Sequence, residues 1–274
     1  MQAYDEAVSI SPRVRRLVAQ NPGAMTGPGT NTYLVGNETL ALIDPGPALD
    51  EHIEHILEVG DGKITHIFCT HTHPDHSPAA APIAKALGIP MIGAVTADDR
   101  HQDLTFKPDI QLTHDATFSG PDWTIRGVAT PGHVDNHFCF LLEEEGIVFA
   151  GDHIMNGSTV VIVPPGGNMK AYIDSLKRLL DYDVKAIAPG HGDVIPDCRG
   201  EVEKLVRHRL MREAKVVAVL QREAPLAIES LVVSVYDDVP VAMHPWAQLS
   251  LLAHLLKLEV EERAEQSGGQ WAMR

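Results

Sequence analysis

Cysteine is scarce: three residues in 274. Cys69, Cys139 and Cys198 are too few and too scattered for a disulfide framework, so the fold must rest on packing. Cys69 and Cys139 lie in apolar, strand-like runs and read as small buried hydrophobes. Cys198, in Pro-Asp-Cys-Arg-Gly, reads as a loop thiol with nothing to mark it as a nucleophile. Long hydrophobic runs are missing too. The most apolar stretch, residues 249–258, is too short and too interrupted to span a bilayer, so no membrane helix is expected. The opening MQAYDEAVSISPRVRR has no apolar core after its charges. It does not read as a secretory signal, and the expected compartment is the cytoplasm. Basic residues are in deficit: 22 Lys and Arg stand against 37 Asp and Glu, a formal net charge of −15. Such a surface repels polyanions at long range, so duplex DNA is not an expected partner. No repeat and no low-complexity segment is present.

What the chain does have is a regular alternation of strand-like and helix-like segments. Residues 14–19, 31–35 and 39–43 read as short strands. Asp50 is placed to cap a helix with Ile53, Ile56 and Leu57 on one face, closing near Gly60. Residues 63–69 form a strand, and Ser77-Pro78 opens an Ala-rich helix that Gly88 closes. Residues 91–94, 110–112, 123–130, 139–142, 147–150 and 184–188 are strand-like. Asn168 can cap a helix with Met169, Tyr172, Ile173, Leu176 and Leu179 at helical spacing. Beyond about Gly200 the composition shifts. A long helix over 201–222 precedes helices at 227–235 and 244–256. Two strands at 257–263 and 270–273 then flank the Gly268-Gly269 turn. This reads as a two-domain α/β chain: residues 1–199, then a small winged-helix-like unit of residues 200–274.

Histidine is abundant, with 15 residues. It is the commonest neutral metal ligand near pH 7, so clustering matters. His71-Thr72-His73-Pro74-Asp75-His76 follows directly on the apolar strand ending at Cys69. His71 and His73, two apart, project to one side of a strand end. Asp75 and His76 come after the proline turn and can face a second point nearby. Three imidazoles and a carboxylate in one turn suit zinc-like ions. The same rule recurs: an apolar strand ends and a metal-type residue follows. Residues 123–130 lead to Pro131-Gly132-His133, residues 147–150 to Gly151-Asp152, and residues 184–188 to Pro189-Gly190-His191. Glycine beside each residue lets the backbone approach an ion closely.

The ordered set of His-x-His-x-Asp-His, His133, Asp152 and His191 resembles the metallo-β-lactamase superfamily over roughly residues 10–195. That resemblance implies an αββα sandwich with the site at the strand ends. It implies that His71, His73 and His133 hold one ion, that Asp75, His76 and His191 hold a second, and that Asp152 bridges them. Gly29-Thr30-Asn31-Thr32-Tyr33-Leu34-Val35-Gly36 and the helical tail are similar to the β-lactamase-like protein 2 group. That group has a C-terminal winged-helix-like domain and one member that is a single-stranded RNA endonuclease. Asp152 speaks against antibiotic hydrolysis, because β-lactamases of the familiar kind usually lack that bridge. Asp44, in Ile43-Asp44-Pro45-Gly46, resembles the family aspartate that supports the metal loop, with a plain Asx turn as the alternative. His137 matches a histidine of glyoxalase II-like members and either orients a ligand or makes a strand-edge hydrogen bond. The remaining histidines are expected to be structural: His52 and His55 on a solvated helix face, His66 in a strand, and His101, His114, His208, His244 and His254 remote from the pattern. His153 is expected to point away from the ions.

The expected activity is hydrolysis with two divalent ions, zinc by default and iron or manganese as alternatives. A metal-bridging hydroxide would attack an ester-type bond, whether phosphodiester, thioester, lactone or carboxyl ester. Asp75, at the edge of that hydroxide, would accept or relay a proton and is the expected catalytic side chain. Partners are then a small ester-type substrate or single-stranded RNA, with a homodimer left open. Competing classes are a sulfur oxidoreductase with a single iron and a non-enzymatic reader using the winged helix. Against the reader, the tail mixes its basic residues with acidic ones, and DNA-reading wings are normally basic. Residues 24–29 and 156–168 are expected to border the cleft, with Pro164–Gly167 as either a lid or an ordinary connection.

Overall fold

The computed structural model describes Tyr4, residues 6–98 and residues 100–274. The elements run β1 (Val8–Ser9), β2 (Val14–Val18), β3 (Asn31–Val35), β4 (Leu40–Ile43), α1 (Asp50–Gly60), β5 (Ile64–Phe68), α2 (Ala80–Leu87), β6 (Met91–Gly93), β7 (Ile110–Gln111), β8 (Thr117–Ser119), β9 (Thr124–Ala129), β10 (Phe138–Leu142), β11 (Ile147–Gly151), α3 (Met169–Arg178), β12 (Ala186–Pro189), α4 (Cys198–Glu223), β13 (Leu226–Ala227), α5 (Ile228–Val235), α6 (His244–Val260), β14 (Ala264–Ser267) and β15 (Gln270–Met273).

Two sheets face each other. The first has seven strands in the order β1 to β7, antiparallel through β4 and parallel from β4 to β7. The second has five strands in the order β12-β11-β10-β9-β8, parallel only at β11–β12. The strands are apolar on both faces because both faces are covered. Along β3, Tyr33 and Val35 enter the core between the sheets, while Leu34 joins the core beneath α1 and α2. Along β10, Phe138, Phe140 and Leu142 face inward, and Cys139 and Leu141 meet α3 on the far side. The period of two thus builds four layers, helix–sheet–sheet–helix.

α4 ties the tail to this sandwich. Cys198, Val202 and Leu205 at its start pack into the α3 core, while Val216, Val219 and Leu220 pack with α5, α6 and Trp271. The small three-stranded sheet β13-β15-β14 completes the C-terminal unit. Four sequence expectations need correction. Cys198 is no loop thiol but the buried first residue of α4, and burial pushes its thiol up to about 11. Residues 257–263 are not a strand: α6 runs on to Val260 because Leu255 and Leu258 still reach the core, and β14 begins at Ala264. Asp50 does not cap α1, whose N-cap is Leu49 with no side-chain bond. His52 is buried rather than solvated. Its Nε2 meets the Thr32 hydroxyl at 2.9 Å, and burial lowers its pKa to about 4. Asn168 does cap α3, accepting from the Ala171 N–H at 3.0 Å.

Candidate metal centre

The residues singled out at the strand ends converge on one rim. His71 and His73 follow β5, His133 follows β9, Asp152 follows β11 and His191 follows β12. Two groups of donor atoms form there. His71, His73, His133 and Asp152 make one, and Asp75, His76, Asp152 and His191 make the other, with all atoms of a group within 4.8 Å of one another. Asp152 belongs to both. In the first group His73 Nδ1 lies 3.0 Å from His71 Nε2 and 3.1 Å from His133 Nε2, and the latter lies 3.7 Å from Asp152 Oδ2. In the second, Asp152 Oδ1 is 3.3 Å from both His76 Nε2 and His191 Nε2, while Asp75 Oδ2 is 3.2 Å from His191 and 3.6 Å from His76. Tetrahedral zinc with bonds of about 2.0–2.1 Å has donor–donor edges of about 3.3 Å, so both groups have the right span.

Hydrogen bonds at the back of four of the five rings decide which nitrogen faces the centre, while His73 presents Nδ1. His133 Nδ1 donates to the Val161 carbonyl at 3.1 Å, and His191 Nδ1 to the Gly29 carbonyl at 3.1 Å. His76 Nδ1 donates to Asp44 Oδ2 at 3.0 Å. His71 Nδ1 lies 3.0 Å from the Thr70 hydroxyl, which itself donates to Asp44 at 2.7 Å. Each acceptor takes the Nδ1 proton and so leaves Nε2 as the atom that faces the centre. Asp44, held at a φ of 47°, also accepts from the Thr70 N–H at 2.7 Å. It therefore ties the metal loop to β4, rather than merely closing a turn.

Inward, the rim is unsatisfied. His76 Nε2, His191 Nε2 and Asp152 Oδ1 are buried without a hydrogen-bond partner. Buried polar atoms normally have partners, so a cluster of orphaned donor-type atoms fits cations. The charge balance agrees. Burial would raise the Asp152 carboxyl, but His191 and His76 outweigh it and hold it well below the usual carboxylate range. Asp75 is lowered in the same way, against its burial, by His76 and His191. Conversely, His191 is pushed up to about 10: burial opposes this, and Asp152 and Asp75 overcome it. The first group behaves differently. Burial, reinforced by neighbouring histidines, lowers His71 strongly and His73 to about 4, so these imidazoles stay neutral and ready to coordinate. The glycines match this crowding. A Cβ on Gly190 would come within 2.7 Å of His76 Cε1 and 2.9 Å of Asp152 Oδ1, and one on Gly151 within 2.4 Å of the Thr70 hydroxyl.

His137 does not join either group. Its Nδ1 meets the Thr130 hydroxyl at 2.8 Å, and its ring stacks on His71 with centroids 5.0 Å apart. It backs His71 by contact. His153 points away, edge-on to Tyr172 at 5.1 Å. The rim opens into a cleft of about 280 Å³ whose walls include Met25, His101, Val161, Val163 and Trp246. Met25 and the two valines fall in the segments expected to border it. His101, read as remote, is a wall residue and Trp246 was not foreseen. Both arrive by long-range packing, from residues 94–109 and from the tail, with no local signal. Pro164, Pro165 and Gly167 line a separate groove against α6 with Leu256 and Val260 and are not among the residues that line the cleft.

The metallo-beta-lactamase superfamily model matches residues 25–191, and the beta-lactamase associated winged helix domain matches residues 227–271. The chain belongs to the metallo-β-lactamase superfamily, carries that winged-helix domain at its C-terminal end, and is an enzyme of the family's hydrolase class. It is 33% identical over 263 residues to the atrochrysone carboxyl ACP thioesterase of Aspergillus chevalieri, covering 89% of this chain and 81% of that one. To the atrochrysone carboxyl ACP thioesterase nsrC of Aspergillus novofumigatus it is 31% identical over 245 residues, covering 84% and 72%. Its fold is similar to that of a metallo-beta-lactamase family protein from Thermus thermophilus. The TM-score is 0.79 at 22% identity, with 97% of this chain and 100% of that chain covered.

Proposed function

We propose that this chain is a binuclear, zinc-dependent hydrolase of thioesters. The observation that carries it is the pair of donor groups sharing Asp152 at the floor of an apolar-walled cleft. His71, His73 and His133 would hold one ion, Asp75, His76 and His191 the other, and Asp152 both. Bound there, the ions would supply a water acidified to attack near neutral pH and a Lewis-acid pull on the scissile carbonyl. The protein's own part is orientation and proton handling. Asp44, Gly29 and Val161 hold the imidazoles to one tautomer. The Asp75 side chain, 26% exposed at the cleft edge, is the base that takes the attacking water's proton. The cleft walls exclude water from the acyl group.

A thioester suits such a site because its leaving thiol, with a pKa near 8.5, departs as thiolate with little proton assistance. The curated relatives named as thioesterases support the same bond type. Single-stranded RNA gains little, because no Lys or Arg is among the cleft-lining residues and phosphate recognition needs them. The complete second donor group favours two ions over a lone iron. Among the described residues no helix is long and apolar enough to cross a membrane. A cytoplasmic setting belongs to the same proposal and is supported by three buried, unpaired cysteines. The test is a panel on zinc-loaded enzyme of acyl thioesters, p-nitrophenyl esters, lactones, bis-p-nitrophenyl phosphate and single-stranded RNA. Thioesters should give the highest kcat/KM. A phosphodiester or RNA cleaved tenfold faster would overturn the reading.

A further inference from the structure

α4 buries three charged side chains in succession, and only two of them are compensated. Arg212 makes a two-pronged pair with Asp238 at 2.7 and 3.0 Å and donates to the Val235 carbonyl. Glu213 is met by Lys257 at 2.7 Å and Arg263 at 3.2 Å. Arg209, 4% exposed, has no such partner among the described residues. One terminal nitrogen donates to the Val160 carbonyl at 2.6 Å, the guanidinium carbon sits 5.2 Å from the centre of the Tyr172 ring, and Nε is buried with nothing to bond. A buried guanidinium without an anion is costly, and proteins rarely leave one so unless a ligand completes it.

The surroundings supply the place for a ligand. Arg209 lines a cavity of about 190 Å³ between the Val160–Val161 segment and the winged-helix unit. That cavity shares Val161 and Trp246 with the catalytic cleft. The two spaces are therefore neighbours across one aromatic side chain and one backbone segment. The segment is coupled to both: the Val160 carbonyl accepts from Arg209, and the next carbonyl, Val161, accepts from His133. Arg212 lines the same cavity but is already engaged by Asp238, so among the described lining residues Arg209 is the buried guanidinium left for an incoming anion.

We propose that the cavity behind Trp246 is an anion subsite, in which Arg209 receives a carboxylate or phosphate carried on the substrate at the end remote from the scissile bond. This rests on the thioester reading above and extends it: the enzyme selects thioesters with a charged far end. Arginine suits such oxyanions because its planar fork binds two oxygens at once. Trp246 lies against the neutral chain between the two sites.

The test uses matched substrates on the zinc-loaded full chain. A neutral acyl N-acetylcysteamine thioester is compared with its ω-carboxyacyl counterpart and with the same acyl group on phosphopantetheine, so the last two separate an anion on the acyl side from one on the thiol side. At least one anionic substrate should show kcat/KM tenfold or more above the neutral one. Arg209→Gln should lower kcat/KM for the anionic substrate at least tenfold more than for the neutral one, and Arg209→Lys should restore part of that difference. Equal losses on neutral and anionic substrates would mean that Arg209 only anchors the Val160 segment, and would overturn the proposal. So would a wild type with no preference. Independently of turnover, inorganic phosphate and glutarate are titrated against Trp246 fluorescence, with Trp246→Phe to identify the signal. Saturable change with either anion in wild type, lost in Arg209→Gln, supports the subsite; no change with both refutes it. A chain that hydrolyses no thioester would sink the thioesterase reading, while this titration would still decide the subsite.

Discussion

The metal rim and the Glu213 cluster both bury carboxylates among positive groups, yet they end differently. Around Glu213 the chain closes its own electrostatics: Lys257 and Arg263 reach the carboxylate, and Lys257 also meets Glu261 at 2.9 Å. At the rim, among the described residues, Asp152 is met by imidazoles alone, at 3.3 to 3.7 Å, with no Lys or Arg among its ion pairs. The first arrangement balances its charge with the chain's own lysine and arginine, although Glu213 Oε2 and the His254 nitrogens lack well-aligned hydrogen bonds, and serves stability. The second is complete only with cations and serves chemistry. Arg209 stands between the two, buried like the first and open like the second.

Removing the shared carboxylate should have the largest effect. Asp152→Ala takes a donor from both groups, and two nearby cations would lose the charge that offsets their repulsion. Turnover should fall at least about 10³-fold, a loss on the order of 4 kcal/mol, while circular dichroism stays native. A folded variant with near-normal turnover would show that Asp152 bridges nothing.

The closed cluster should answer in stability instead. Burial alone would raise the Glu213 carboxyl, but His254 and Lys257 outweigh it and hold it at about 2. Its folded pKa lies below the unfolded value near 4.3, so the unfolded chain binds more protons in acid. The stabilisation is full above about pH 4.5 and is lost as pH falls toward 2. Wild type should exceed Glu213→Gln by on the order of 3 kcal/mol at pH 7, and denaturant melts should show that gap closing between pH 4.5 and 2.5. Metal loss in acid affects both chains, so the difference isolates Glu213. A gap independent of pH would contradict the assignment.

Asp44 sharpens the contrast by a smaller step, because it acts on the rim through Thr70 and His76. Asp44→Asn should weaken zinc affinity about 10- to 100-fold, with occupancy restored by excess zinc. Unchanged affinity in a chelator competition would reduce Asp44 to a turn residue.

The rim was readable in the sequence because each of its residues abuts an apolar run: strand ends share an edge, so the repeated pattern carries spatial information. Asp44 followed the same logic at the end of β4. What sequence could not supply was anything assembled from distant segments. Trp246 reaches the cleft from α6, and His101 from the connection between β6 and β7. The run Leu255, Lys257, Leu258, Val260 fits helix or strand by pattern, and only burial of Leu255 and Leu258 against Trp271 and α4 settles it as helix. His52 was recoverable, since it falls one turn before Ile56 on the buried face of α1. The unpaired state of Arg209 was not, because it depends on which acidic residues fail to arrive.

The most direct measurement is the metal content of the intact chain. Protein loaded with zinc and freed of excess should contain about two ions per chain by elemental analysis, and His191→Ala should bring that to about one. A wild type holding one ion, unchanged in His191→Ala, would contradict the two-ion rim.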